Sequence, residues 1–199
     1  MADLKDLMIS KTRVKLIEMF FQNPDELRYV REITRLIKEE INAVRRELDK
    51  MLGYGLLKSE QRGNRMYYNL NTRYPFYSEL QQMVAKTTGL GLKITKNRRK
   101  LGTVDYAMLS GKFVEGKKPK QGEVDLLVVG DIVLPELQAI ITAEQERVGR
   151  EINYAVFNSE EFTFRKNRRD PFIMDILNAA RVMIIGSSAE FSERQTPGI

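Results

Sequence analysis

Asn42, Arg45 and Arg46 are the first residues in the chain whose types and spacing could do chemistry together. Three and four positions apart, they fall on one face of a helix. The opposite face carries Ile41, Val44, Leu48, Met51 and Leu52. A side-chain amide suits adenine, and a guanidinium suits guanine or a phosphate, so this face has the inventory of a helix that reads the major groove of DNA. Further on, Arg62-Gly63-Asn64-Arg65 places two cations around a turn signal, where they could reach a nucleic-acid backbone or minor groove. Other chemistry is closed off. The 199 residues include no histidine and no cysteine. There is therefore no serine-histidine or cysteine-histidine dyad, no imidazole base or metal ligand, no thiolate zinc site and no disulfide. Any enzyme here would work with carboxylates, lysines, tyrosines or a carboxylate-bound metal.

The elements that must position these groups are readable from periodicity. Val14, Ile17 and Phe21 recur at helical spacing across Lys11–Gln22, and Asn23-Pro24-Asp25 stops that helix. A second short helix spans Val30–Ile37 and buries Val30, Ile33 and Ile37. A third begins near Glu40–Asn42, runs to about Leu52 and ends at Gly53 and Gly55. Two β-prone runs flank Gly63-Asn64 and form a hairpin, with Met66, Tyr68 and Leu70 facing inward and Arg65, Tyr67 and Asn69 outward. Three short helices and a hairpin in this order predict a winged helix-turn-helix. Val44-Arg45-Arg46-Glu47-Leu48 through Met51-Leu52-Gly53-Tyr54-Gly55-Leu56-Leu57 resembles the recognition helix and next strand of the arsenic-repressor and multiple-antibiotic-resistance regulator families. Tyr29-Val30-Arg31-Glu32-Ile33 resembles their second helix. The resemblance covers about residues 10–70 and implies double-stranded DNA as partner, with Arg31, Asn42, Arg45, Arg46, Arg62, Asn64 and Arg65 as contacts. It lacks the cysteines and histidines of those families' metal sensors.

Pro75–Thr88 reads as a further helix with Phe76, Leu80, Met83 and Val84 on one stripe, placed to join two subunits of a homodimer. Gly89-Leu90-Gly91 and the basic run Lys96–Lys100 mark a boundary. The expected organisation is a DNA-binding domain at 1–74, a linker and dimerisation helix at 75–100, and a small α/β domain at 101–199, α+β overall. In the last part Val104–Leu109, Val124–Val129 and Ile152–Phe157 are strands, with Val182–Ile185 a short fourth. Pro135–Val148 and Pro171–Ala180 are helices, Gly116–Gly122 is a polar loop, and the tail after about Ser187 is loose.

Leu109-Ser110-Gly111-Lys112-Phe113 followed by Glu123-Val124-Asp125-Leu126-Leu127-Val128-Val129-Gly130-Asp131 resembles the nucleotidyltransferase fold of the polymerase-beta superfamily over about residues 100–165. Active members of that superfamily cradle phosphate on a Gly-Ser turn and hold Mg²⁺ on two carboxylates flanking one residue, with a third acid on a later strand. Here the turn reads Ser110-Gly111, the first acid is the longer Glu123, Asp125 is retained, and Asn153 or Tyr154 stands near the third position. The loop between them also carries Lys117, Lys118 and Lys120. The resemblance therefore implies a degenerate, non-catalytic relative that serves as a sensor for an effector or as a partner surface. Ser110, Gly111, Glu123 and Asp125 would be vestigial, Glu123 exposed and Asp125 orienting the turn. No cofactor is expected unless Glu123 and Asp125 hold Mg²⁺. The alternatives are a Mg²⁺-dependent transferase acting on a small molecule or protein, and an antitoxin-like partner-binding protein. Arg165-Lys166-Asn167-Arg168-Arg169 reads as a solvated loop or helix end, with DNA or a phosphorylated ligand as its functional options.

The net charge is +6, of which +4 falls in residues 1–75 and +2 in residues 76–199, a bias suited to a polyanionic partner. No apolar run is long enough to span a bilayer, and the first fifteen residues contain no apolar core of a signal peptide. The expectation is a cytoplasmic chain without membrane contact.

Overall fold

In the computed structural model, which describes residues 10–193, a serine starts the first helix. Ser10 Oγ accepts the Arg13 N–H at 3.2 Å, and α1 (Lys11–Gln22) follows, burying Val14, Leu16, Ile17, Phe20 and Phe21. The expectations for residues 1–9 and 194–199 lie outside the described residues. The chain divides into two compact units, Met1–Thr87 and Thr88–Ile199.

In the first unit, β1 (Arg28–Tyr29) leads into α2 (Val30–Ile37), and Lys38 turns the chain at φ 54 before α3 (Ile41–Gly53). The strands β2 (Leu57–Arg62) and β3 (Arg65–Leu70) form an antiparallel hairpin in which Arg62 faces Arg65 across Gly63-Asn64. Gly63 sits at φ +58, the positive value that the first position of a tight two-residue turn demands. The sheet order is β1-β3-β2, so Tyr29 pairs with Tyr67. The last helix of this unit is α4 (Tyr77–Thr87).

Two expectations are corrected here. Met66 was expected to face inward but is 41% exposed, because the hairpin tip extends beyond the core that Tyr68 and Leu70 close. The stripe expected to pair subunits is in part used within the unit. Val84 is buried in the core with Val14, Ile33, Leu48 and Leu70, while Leu80 and Met83 pack against it. Phe76 precedes the helix and stays 61% exposed.

The second unit opens with α5 (Gly89–Lys96), a helix where a glycine-marked boundary was expected, so the stretch 75–100 is divided between the two units. Then come β4 (Gly102–Ser110), α6 (Gly111–Val114), β5 (Leu126–Ile132), α7 (Leu134–Val148) and β6 (Tyr154–Phe157). After them follow α8 (Ser159–Asn167), α9 (Pro171–Asn178), β7 (Arg181–Ile185) and α10 (Ser188–Ser192). The sheet order is β6-β5-β4-β7, with β4 antiparallel to both neighbours and β6 parallel to β5.

Side chains alternate across this sheet, and both faces are covered, which is why Leu126–Val129 reads as an unbroken apolar run. Leu126 and Val128 join Leu90, Ile94, Leu137 and Ile141 on one side. Leu127 and Val129 join Phe162, Ile173, Ile176 and Phe191 on the other. The tail is accordingly not loose up to Glu193. Ser187 caps α10, and Phe191 is fully buried, its ring stacked 5.1 Å from that of Phe162. Among the described residues, ten helices and two small sheets make the fold α+β, and no helix is long and apolar enough to cross a membrane.

Candidate functional site

Helix α3 is held by its buried side. Val44, Leu48 and Met51 enter the core, and Glu47, nearly buried, accepts the Arg13 Nε–H at 2.8 Å, tying α3 to α1. Burial pushes the Glu47 carboxyl up, but the hydrogen bond and charge of Arg13 outweigh that and leave it below the usual carboxylate range. At the start of α3, Glu40 accepts the N–H groups of Asn42 and Ala43, both at 2.8 Å, and these bonds lower its pKa. Asn42, Arg45, Arg46 and Asp49 all remain exposed on the far face, as the apolar spacing of α3 requires.

A groove of about 950 Å³ runs between α2, α3 and the hairpin, lined by Arg31, Arg35, Arg45, Asn64 and Arg65, with Tyr29 and Asp49 among its other walls. The fold thus brings four of the seven expected contacts, Arg31, Arg45, Asn64 and Arg65, to one concavity. Asn42 and Arg46 lie exposed on α3, and Arg62 pairs with Glu60 while its guanidinium lies 5.7 Å from the Tyr67 ring centre. Sequence reasoning missed Arg35 and Tyr29. Arg35 was findable, since it lies one helical turn from Arg31. Tyr29 reaches the groove only through strand pairing with Tyr67, which no local spacing announces. Chemically, the groove offers four guanidiniums and an amide to phosphates or base edges.

In the second unit the two carboxylates are already neutralised. Asp125 is fully buried and takes a forked pair of bonds from Arg150, Nη1 to Oδ2 at 2.8 Å and Nη2 to Oδ1 at 3.1 Å. The Asn153 N–H adds a third bond at 3.1 Å. Glu123, half-exposed, accepts Lys112 Nζ on both oxygens at 2.6 Å and the Lys120 N–H at 2.7 Å. The Lys112 and Lys120 bonds hold its carboxyl below the usual range. A divalent cation needs open carboxylate oxygens, and here each acid carries its own cation, so the residues present do not fit Mg²⁺. Asn153 brings no third acid, and Tyr154 donates its hydroxyl to Gln138. Among the described residues, no cluster of three or more acids could hold a metal.

The Ser110-Gly111 turn is equally committed elsewhere. Ser110 Oγ accepts the Phe113 N–H at 3.1 Å and caps the four-residue α6. The Gly111 N–H donates to the Ala180 carbonyl at 2.7 Å, and this close approach would put a Cβ at Gly111 only 2.9 Å from the Ala180 side chain. Close packing accounts for this glycine without a phosphate. Beside it lies a cavity of about 640 Å³ floored by Met108, Val124, Phe172 and Ile176.

The basic run at 165–169 is the end of α8, and one member is not solvated. Lys166 is 2% exposed, lies 5.2 Å from the Phe162 ring centre and donates to the Phe191 carbonyl at 3.3 Å. Burial lowers its pKa. Arg165 pairs with Glu161 and Asp170, and Arg168 lies over Phe164 at 4.6 Å. The run is divided between packing and local pairing.

No family model, curated protein or solved structure matches the chain.

Proposed function

We propose that the chain is a sequence-specific, double-stranded DNA-binding transcription regulator. In this reading the first unit is a winged helix-turn-helix with α3 as recognition helix and the β2–β3 hairpin as wing. The supporting observation is the groove in which Arg31, Arg35, Arg45, Asn64 and Arg65 converge from three elements. Half or more of the hydrogen bonds in protein–DNA complexes go to phosphate and sugar, and the remainder read base edges, so a groove of guanidiniums beside an exposed helix face suits both tasks. The net charge of +4 over residues 1–75 adds long-range attraction.

The second unit acts as a regulatory domain with a nucleotidyltransferase-like frame and no transferase chemistry. Salt bridges to Arg150 and Lys112 on the two acids support this reading over a Mg²⁺-dependent enzyme. The protein works as a homodimer, since a two-fold pair of recognition helices doubles the site read. Phe76, 61% exposed, and the partly exposed Leu80 and Met83 are its candidate interface, while Val84 belongs to the first unit's own core.

Fluorescence anisotropy with the DNA upstream of the protein's own reading frame, against a scrambled duplex, tests the function. Arg45→Ala and Arg46→Ala should each weaken specific binding by about 1–3 kcal/mol, with relaxed sequence preference in at least one. Equal affinity of the double variant Arg45→Ala/Arg46→Ala for the specific duplex would remove α3 as the reading helix.

A further inference from the structure

A chain of ring and guanidinium contacts starts at the groove residues Arg35, Tyr29 and Arg65 and continues along the hairpin to Tyr67 and Arg62. Arg35 Nη2 donates to Tyr29 Oη at 3.3 Å. The Arg65 guanidinium lies 4.7 Å from the centre of the same Tyr29 ring. Tyr29 meets Tyr67 edge-on at 5.6 Å, and Arg62 lies over Tyr67 at 5.7 Å. Three arginines, one on α2 and one on each hairpin strand, are thus arranged around two tyrosines whose backbones are paired across β1 and β3.

An exposed arginine ordinarily samples many rotamers and loses that freedom when it grips a phosphate. A guanidinium laid on an aromatic face keeps its N–H edge outward while its orientation is already chosen. Arg65 has no acidic partner among the described residues, so the Tyr29 ring is the feature that orients it. Arg35 differs, being held by the Tyr29 hydroxyl and, more loosely, by the Arg31 carbonyl at 3.4 Å.

We infer that Tyr29 is a positioning residue for DNA binding, presetting Arg65 on the hairpin and Arg35 on α2 as two phosphate contacts in one groove. This inference rests on the DNA-binding reading and adds Arg35 to its contacts. Tyr29 itself touches no phosphate. Its ring acts on Arg65 and its hydroxyl acts on Arg35, so the two roles separate by substitution.

The test measures full-length protein on a labelled random-sequence duplex as salt is varied, because phosphate contacts are independent of sequence. Arg65→Gln and Arg35→Gln should each lower the slope of log affinity against log salt by about one. Tyr29→Leu should weaken binding roughly two- to fivefold, the worth of an exposed cation–ring contact, and lower the slope as well. In the Tyr29→Leu/Arg65→Gln double variant the two losses should overlap rather than add. Tyr29→Phe should restore the Arg65 part and lose no more than Arg35→Gln loses. A purely structural role for Tyr29 would lower thermal stability and leave the salt slope of the folded fraction unchanged. Wild-type slope and affinity in a folded Tyr29→Leu, or a Tyr29→Phe as weak as Tyr29→Leu, would overturn the inference alone. If Tyr29→Leu does not fold, additive losses in Tyr29→Phe/Arg35→Gln overturn it instead. A wild-type protein that binds no duplex removes the DNA-binding reading and the inference together.

Discussion

Replacing Arg150 by Met should expose what holds the second unit's acid pair. The Asp125 carboxylate has no solvent contact, and of the three hydrogen bonds it accepts two come from Arg150, leaving the Asn153 N–H at 3.1 Å as its remaining donor. Two unit charges about 4 Å apart attract by about 4 kcal/mol for an effective dielectric constant near 20. Removing one member of a buried pair strands the other, which costs about 3–5 kcal/mol. Methionine keeps an unbranched stem beside Phe113, on which the Arg150 guanidinium lies at 5.2 Å, so the loss reports charge more than packing. Domains of this size are stable by about 5–15 kcal/mol, so the variant should unfold at clearly lower denaturant but still fold in water. Urea unfolding followed by hydrogen exchange of β5 peptides separates this transition from that of the first unit. Asp125→Asn/Arg150→Met should cost less than the sum of its parts, because no charge remains buried. Millimolar Mg²⁺ should leave the wild-type midpoint unmoved, since no open carboxylate pair binds it. A cost below about 1 kcal/mol for Arg150→Met would contradict the burial argument, and stabilisation of the wild type by Mg²⁺ would contradict the claim that the acids are already neutralised.

Three further outcomes follow from the packing. Lys38→Gly should stabilise the first unit by about 0.5–1 kcal/mol in a urea midpoint, because Lys38 holds a left-handed φ of 54 that a Cβ disfavours. Phe191→Ala should destabilise the second unit by about 3–5 kcal/mol by thermal or chemical unfolding, since the ring is fully buried against Phe162 and Tyr106. Burial raises the Glu144 pKa, but Arg147 and Lys93 more than offset it, and the folded value lies below the unfolded 4.5. Its stabilisation is therefore complete above that value and lost as pH falls through the folded pKa. Midpoints measured downward from about pH 6 should decline less steeply for Glu144→Gln than for wild type.

Much of the first unit was legible because its helices are amphipathic over their full length. The bounds of α1 and α2 follow directly from Val14, Ile17 and Phe21 and from Ile33 and Ile37. The exposed face of α3 could be read for the same reason, since burying Val44, Leu48 and Met51 leaves Asn42, Arg45 and Arg46 outside. In α5, two glycines mask the pattern, although Leu90 and Ile94 are buried one turn apart. In α8 the two phenylalanines take opposite fates: Phe162 is buried and Phe164 exposed, so the helix shows no apolar stripe. It is started instead by Asn158, whose side chain accepts the Glu161 N–H at 2.7 Å. Partners far apart in the chain were the least legible. Arg150 and Asp125 are separated by 25 positions, as are Lys166 and Phe191, and only the folded sheet brings them together. The composition of the run around Lys166 points to solvent, whereas the carbonyl that accepts its hydrogen bond belongs to α10.

The sheet order β6-β5-β4-β7 has a consequence for how the protein comes into being. Strand β4 starts the second unit's sheet, yet its second neighbour, β7, is made some seventy residues later, and Phe191 later still. The first unit's core is complete once Val84 has been synthesised. At about 5–20 residues per second, roughly 5 to 20 s separate Val84 from Phe191 on the ribosome. In that interval the first unit can fold, while β4, once made and paired with β5, keeps one open edge until β7 is made, and Phe162 lacks its stacking partner until Phe191 follows. The nascent second unit is thus the part of the chain most in need of chaperone protection, and the variants that slow its closure are the ones expected to aggregate during synthesis.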